Sequence, residues 1–137
     1  MPPLSNGARH HDLEAILQTL RAGYFPDCPA VRIRWGRWSG RARPRSMRFG
    51  VYLPGTQLIR IHPALDQAFV PGYFVEFIVY HELLHHVIPP VRLNGRYQIH
   101  SPRFRQHERD FPAYAEAMAW SRQSLRRLLR SNRRYPA

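Results

Sequence analysis

The sequence predicts an α+β fold: a small antiparallel β-sheet packed on one buried helix, with a helix before it and helices after it. Three observations predict this. Residues 31–62 hold short apolar or alternating runs separated by turn residues. Residues 72–88 are apolar on nearly every helical face, so that helix belongs inside the molecule. Residues 11–24 and 113–129 carry apolar side chains at helical spacing, which marks amphipathic surface helices. A chain of 137 residues suits a single domain spanning 1–137, with a loose N-terminus at 1–8 and a basic tail at 131–137.

In the first helix, Leu13, Ile16, Leu17 and Leu20 recur at the required spacing, Asp12 suits its start and Gly23 its end. Val31, Ile33 and Trp35 alternate with Arg32 and Arg34 from Val31 to Trp38, as a half-buried strand should. A basic loop follows. Met47–Leu53 and Gln57–His62 are expected as two strands joined by the Pro54-Gly55-Thr56 turn, giving an antiparallel meander. The buried helix, Gly72–Ile88, is stopped by Pro89 and Pro90. Asn94-Gly95 sits between apolar-alternating arms and predicts a tight hairpin. Ser101 can cap a helix that has Pro102 at its first position and runs to about Asp110. Pro112 then kinks or restarts the chain before the last helix.

The polar exceptions on the buried helix are His81, Glu82, His85 and His86. Polar groups there are costly unless paired or ligated. His81-Glu82-Leu83-Leu84-His85 is an HExxH motif. Histidines at i and i+4 lie about 5–6 Å apart at Cβ on one face and can share one Zn²⁺. Glu82 flanks that face and can act on a water without itself ligating. The pattern points to metal-assisted hydrolysis, most often of a peptide bond, with Glu82 as general base. Catalytic zinc takes three protein ligands. His100, returned by the hairpin, is the expected third, with Glu108 and His107 as alternatives. His86 points away from His85 and reads as a hydrogen-bonded neighbour of the site.

All 21 basic side chains are arginine and the formal net charge is +12. Arginine makes bidentate phosphate contacts that lysine cannot, so DNA is a candidate partner. The expected contacts are Arg41, Arg43 and Arg45 in the basic loop and Arg126, Arg127 and Arg130 near the C-terminus. Cys28 is the single cysteine, which excludes an internal disulfide and a cysteine-rich zinc site. No apolar run spans a membrane and the first residues lack the core of a signal peptide. A cytoplasmic setting is therefore expected.

Val79-Tyr80-His81-Glu82-Leu83-Leu84-His85-His86 and His100-Ser101-Pro102-Arg103-Phe104 resemble the two signature elements of the SprT-like zinc metallopeptidases, the group that includes Spartan. Gly50-Val51-Tyr52 and Leu58–Pro63 resemble the strand pair before that family's active-site helix. The resemblance covers about residues 45–110. It implies a zincin-like fold, one Zn²⁺ held by His81, His85 and His100, Glu82 as base, and a protein or peptide substrate associated with DNA. The single cysteine cannot build the zinc ribbon that many bacterial members carry. Two further classes fit the sequence: a basic nucleic-acid-binding module with a structural or vestigial zinc, and a zinc hydrolase acting on a non-peptide bond.

Overall fold

The computed structural model describes residues 9–37 and 46–132. The element order is α1 (Leu13–Tyr24), β1 (Arg32–Trp35), β2 (Gly50–Leu53), β3 (Leu58–Ile61), α2 (Gly72–Val87), β4 (Val91–Leu93), β5 (Arg96–Gln98), α3 (Pro102–Asp110) and α4 (Tyr114–Asn132). This is an α+β architecture. Everything is arranged around α2, which packs against α1, α3, α4, β2 and β3. Its apolar circumference explains that position: Phe74, Val75, Ile78, Val79, Leu83 and Leu84 are all buried, whichever way they point.

The start of α1 is set by Asp12, whose carboxylate accepts from the Ala15 N–H. The preceding segment is held by Asp66, which accepts the backbone N–H groups of Arg9, His10 and His11 at 2.7, 2.8 and 3.1 Å. Leu13, Leu17 and Leu20 are buried, as the spacing requires. One turn of 3-10 helix, Pro63–Leu65, follows β3 and is capped by the His62 ring.

The three-stranded sheet departs from the expected meander. Its order is β1-β3-β2, with β1 parallel to β3 and β2 antiparallel to it. Composition accounts for the middle place of β3. Leu58, Ile59 and Ile61 are buried, so the strand needs cover on both faces. The residues of β2 are only partly buried, as suits an outer strand beside a cleft. Strand β1 also ends at Trp35, short of Trp38, which lies outside the described residues.

The hairpin forms as expected. Asn94 and Gly95 both take positive φ, 51° and 77°, the combination a type I′ turn needs. Ser101 caps α3, accepting from the Phe104 N–H, with Pro102 in the first turn. Among the described residues, no helix is long and apolar enough to cross a membrane.

Candidate metal centre

Two elements bring the site together. Helix α2 carries His81 and His85 one turn apart, and the residue just before the cap of α3 is His100. The Nε2 atoms converge: His85 lies 3.3 Å from His81 and 3.2 Å from His100. All three ligand atoms fall within 4.8 Å of one another. Two ligand atoms about 2.0–2.1 Å from one tetrahedral ion stand about 3.3–3.4 Å apart, so the spacing matches a shared cation. Imidazole nitrogens this close can share a proton or, with the lone pairs of all three turned inward, an ion. A cation between them would be coordinated by one nitrogen of each ring.

The protonation pattern is consistent with ligation. Burial, followed by the positive charge available on His81 and His100, pushes the His85 pKa down to about 4. His100 is also lowered, first by burial and then by His81. Both rings are therefore neutral near pH 7, the form that binds a metal. His81 is fixed differently. Its Nδ1 lies 2.5 Å from a carboxylate oxygen of Glu108. Burial pushes the Glu108 carboxyl up, but its hydrogen bond to His81 and the nearby charges of His81, His100 and Arg105 outweigh this and leave it lowered. An ionised carboxylate only accepts, so Nδ1 donates and Nε2 is left free for the ion.

Glu108 thus lies behind a ligand and the structure does not bring it to the ligand position. His107 also points elsewhere: its carbonyl accepts from the Tyr80 hydroxyl at 3.0 Å and its ring faces Phe25. His86 is engaged on both nitrogens, Nδ1 with the Tyr52 hydroxyl at 2.7 Å and Nε2 with the Pro29 carbonyl at 2.9 Å. A carbonyl only accepts, so Nε2 donates; in the neutral ring Nδ1 then accepts from Tyr52.

Glu82 sits beside the cluster on α2 and is 5% exposed. Burial raises its pKa, partly offset by His81 and Arg48. Its room is provided by Gly50 on β2. A Cβ at Gly50 would lie 3.0 Å from both Cγ and Oε2 of Glu82 and 3.1 Å from Ile78. Beneath the three imidazoles lies Phe104, fully buried, with ring centroids 5.1, 4.6 and 4.9 Å from His81, His85 and His100. A cleft of about 530 Å³ opens over the cluster between the Met47–Tyr52 segment, α2 and Ile99.

The basic candidates fall into two groups. Arg41, Arg43 and Arg45 lie outside the described residues. Arg126, Arg127 and Arg130 are exposed on α4. Arg127 is stacked on the Phe69 ring, 3.8 Å from its centroid, while Arg126 and Arg130 lie one turn apart on one face with Arg122.

No family model matches this sequence, and no curated protein does. Among solved structures, the chain is similar to the crystal structure of the metallopeptidase zymogen of Methanocaldococcus jannaschii jannalysin. The TM-score is 0.59 at 15% identity, over 86% of this chain and 98% of that one. The likeness is one of fold, and it places the α+β arrangement described above among the zincin-like folds.

Two residues near the cluster escaped the sequence reading of the site, Gly50 against Glu82 and Arg48 on the cleft wall, while Glu108, expected there as a rival ligand, instead backs His81. Two outcomes follow. Glu108→Ala should weaken metal affinity by about 10–100-fold, measured by competition with a chromogenic chelator. Gly50→Ala should leave the metal content unchanged but displace the Glu82 carboxylate, so any hydrolysis that depends on Glu82 should fall by at least about tenfold. Metal analysis and turnover on one preparation separate the two effects.

Proposed function

We propose that this chain is a zinc-dependent metallopeptidase of SprT-like type, with Glu82 as general base. The observation that carries this reading is the convergence of three imidazole nitrogens beside a buried glutamate, at the floor of an open cleft. The donor set of three histidines, one of them backed by a carboxylate, suits zinc. The fold it shares with a metallopeptidase zymogen supports the peptidase class.

The residues divide the work. His81, His85 and His100 would hold the ion, which supplies Lewis acidity and lowers the pKa of water. Glu108 keeps His81 in the right tautomer. Glu82, with its raised pKa, takes a proton from the attacking water and delivers it to the leaving amine. Gly50 keeps that carboxylate in place. Strand β2 is an outer strand of its sheet and borders the cleft, and among the described residues nothing pairs with its far edge, so an extended peptide can pair there. The residues of the SprT resemblance make contacts at this site: Gly50 against Glu82, Tyr52 on His86, and Phe104 under the three rings.

The same reading takes DNA-associated proteins as substrates, in a cytoplasmic setting. Its support is the charge of +12 and the exposed Arg122, Arg126 and Arg130 on one face of α4. Helix α4 borders the cleft at Met118. At about 1.5 Å per residue, Arg126 lies roughly 12 Å farther along the helix. Nucleic acid bound there would hold an attached protein near the cleft.

The decisive experiment is metal analysis together with casein and histone digestion, with and without single-stranded DNA. One zinc per chain is expected. Glu82→Gln should keep the zinc and lose at least about 100-fold in cleavage rate; retained cleavage rules out Glu82 as the base. Absence of cleavage by the zinc-loaded wild type under every condition favours a nucleic-acid-binding module instead. For the DNA contact, replacing both Arg126 and Arg130 by alanine should weaken binding and reduce the log–log salt slope by about 2. An unchanged slope removes that face from the interface.

A further inference from the structure

Among the described residues, Arg48 is the one arginine that lines the cleft. The other charged groups there have tasks: Glu82 faces the water, Glu108 orients His81, and the three histidines face one another. Among the described residues, no carboxylate forms an ion pair with Arg48, and the ion pair present there joins His81 to Glu108. The side chain is exposed. An unpaired guanidinium in a cleft is a ready site for a planar anion.

Its position follows from strand geometry. The backbone hydrogen bonding of β2 continues past Gly50, since the Phe49 carbonyl accepts from His62 N–H at 2.8 Å. Side chains two apart on such a segment share a face. Tyr52 meets α2 at His86 and Gly50 meets it at Glu82, so two residues of strand correspond to one turn of helix. One further step carries Arg48 past Gly50 along the wall of the cleft that Ile78 also lines. Two strand residues span about 6.6–6.8 Å. Arg48 therefore stands one repeat beyond the general base.

We propose that Arg48 determines specificity by binding a carboxylate of the substrate, two residues from the scissile bond of a peptide extended along β2. The carboxylate belongs either to an internal Asp or Glu or to the peptide's own C-terminus. This rests on the peptidase reading for the reaction, and on the geometry of the cleft for the binding.

The test uses acetylated, amidated peptides built on one segment of casein, with Asp, Asn or Lys placed in turn at each position. Free-acid versions end at those positions. Two readouts are taken: kcat/KM of the zinc-loaded enzyme, and equilibrium binding to zinc-loaded Glu82→Gln by fluorescence anisotropy. At one position, Asp should exceed Asn by about tenfold or more in both, as expected for a charge-assisted pair. Arg48→Ala should bring that ratio to near one, and Arg48→Glu should turn the preference toward Lys. If the ratio appears only with free-acid peptides, the carboxylate is the C-terminus. A wild-type ratio of one at all positions overturns the proposal. So does a uniform loss across all peptides in Arg48→Ala, which would mark an oxyanion-stabilising or structural role. Carboxylate-selective binding without any cleavage would sink the peptidase reading and leave the Arg48 assignment standing.

Discussion

The constraint that shapes this molecule is the burial of ionisable side chains on a helix with apolar residues all around it. His81, Glu82 and His85 interrupt α2 at the point where it would otherwise be a featureless core element. Their desolvation is unfavourable for any charged form, which is why His85 is lowered and Glu82 is raised. Lowering a histidine makes a better metal ligand near neutrality, and raising a glutamate brings its pKa closer to that of a useful base. Burial alone therefore shifts the two residue types in opposite directions, as the proposed ligand and base roles require. The rest of the structure keeps α2 covered on most sides and leaves one opening above the histidines.

The opening depends on small local choices. Strand β2 passes close enough to touch Glu82 only because residue 50 has no side chain. Two residues on, Tyr52 ties the same strand to His86, whose other nitrogen bonds the Pro29 carbonyl. That chain of contacts links the loop after α1, the last turn of α2 and the outer strand of the sheet. It fixes the width of the cleft without involving any of the three converging histidines.

The sequence made α2 legible because its apolar run has no alternative but burial, and its motif has a fixed helical spacing. The Ser101-Pro102 start of α3 and the Asn94-Gly95 turn were legible for the same reason: cap and turn chemistry is local. The pairing of β1 with β3 was not. Alternation in Val31–Trp35 reports which side faces the core, but carries no information about which strand lies alongside or in which direction. Strand choice was settled by Leu58, Ile59 and Ile61, whose burial on both faces demands the central place. The role of Glu108 was also hidden. The sequence offered Glu108 as a rival ligand, but nothing in it shows that the carboxylate sits behind a ring 27 positions earlier. Arg48 likewise looks like one arginine among 21 until the sheet puts it on the cleft wall.

Helix α3 shows how little structure the third histidine requires. His100 immediately precedes the cap residue Ser101, which is buried at 2% exposure, so the backbone there is fixed by the start of the helix. Phe104 lies three residues past the cap and Glu108 one turn later, a spacing that puts both on the same face. One nine-residue helix thus sets the position of one imidazole, supplies the apolar floor for all three and orients a second through its carboxylate. The hairpin joining His85 to His100 has every residue from Val91 to Gln98 exposed. It closes the chain but does not place the ring. The position of His100 therefore follows from the docking of α3 on α2, and the candidate metal site is best understood as a property of that helix pair.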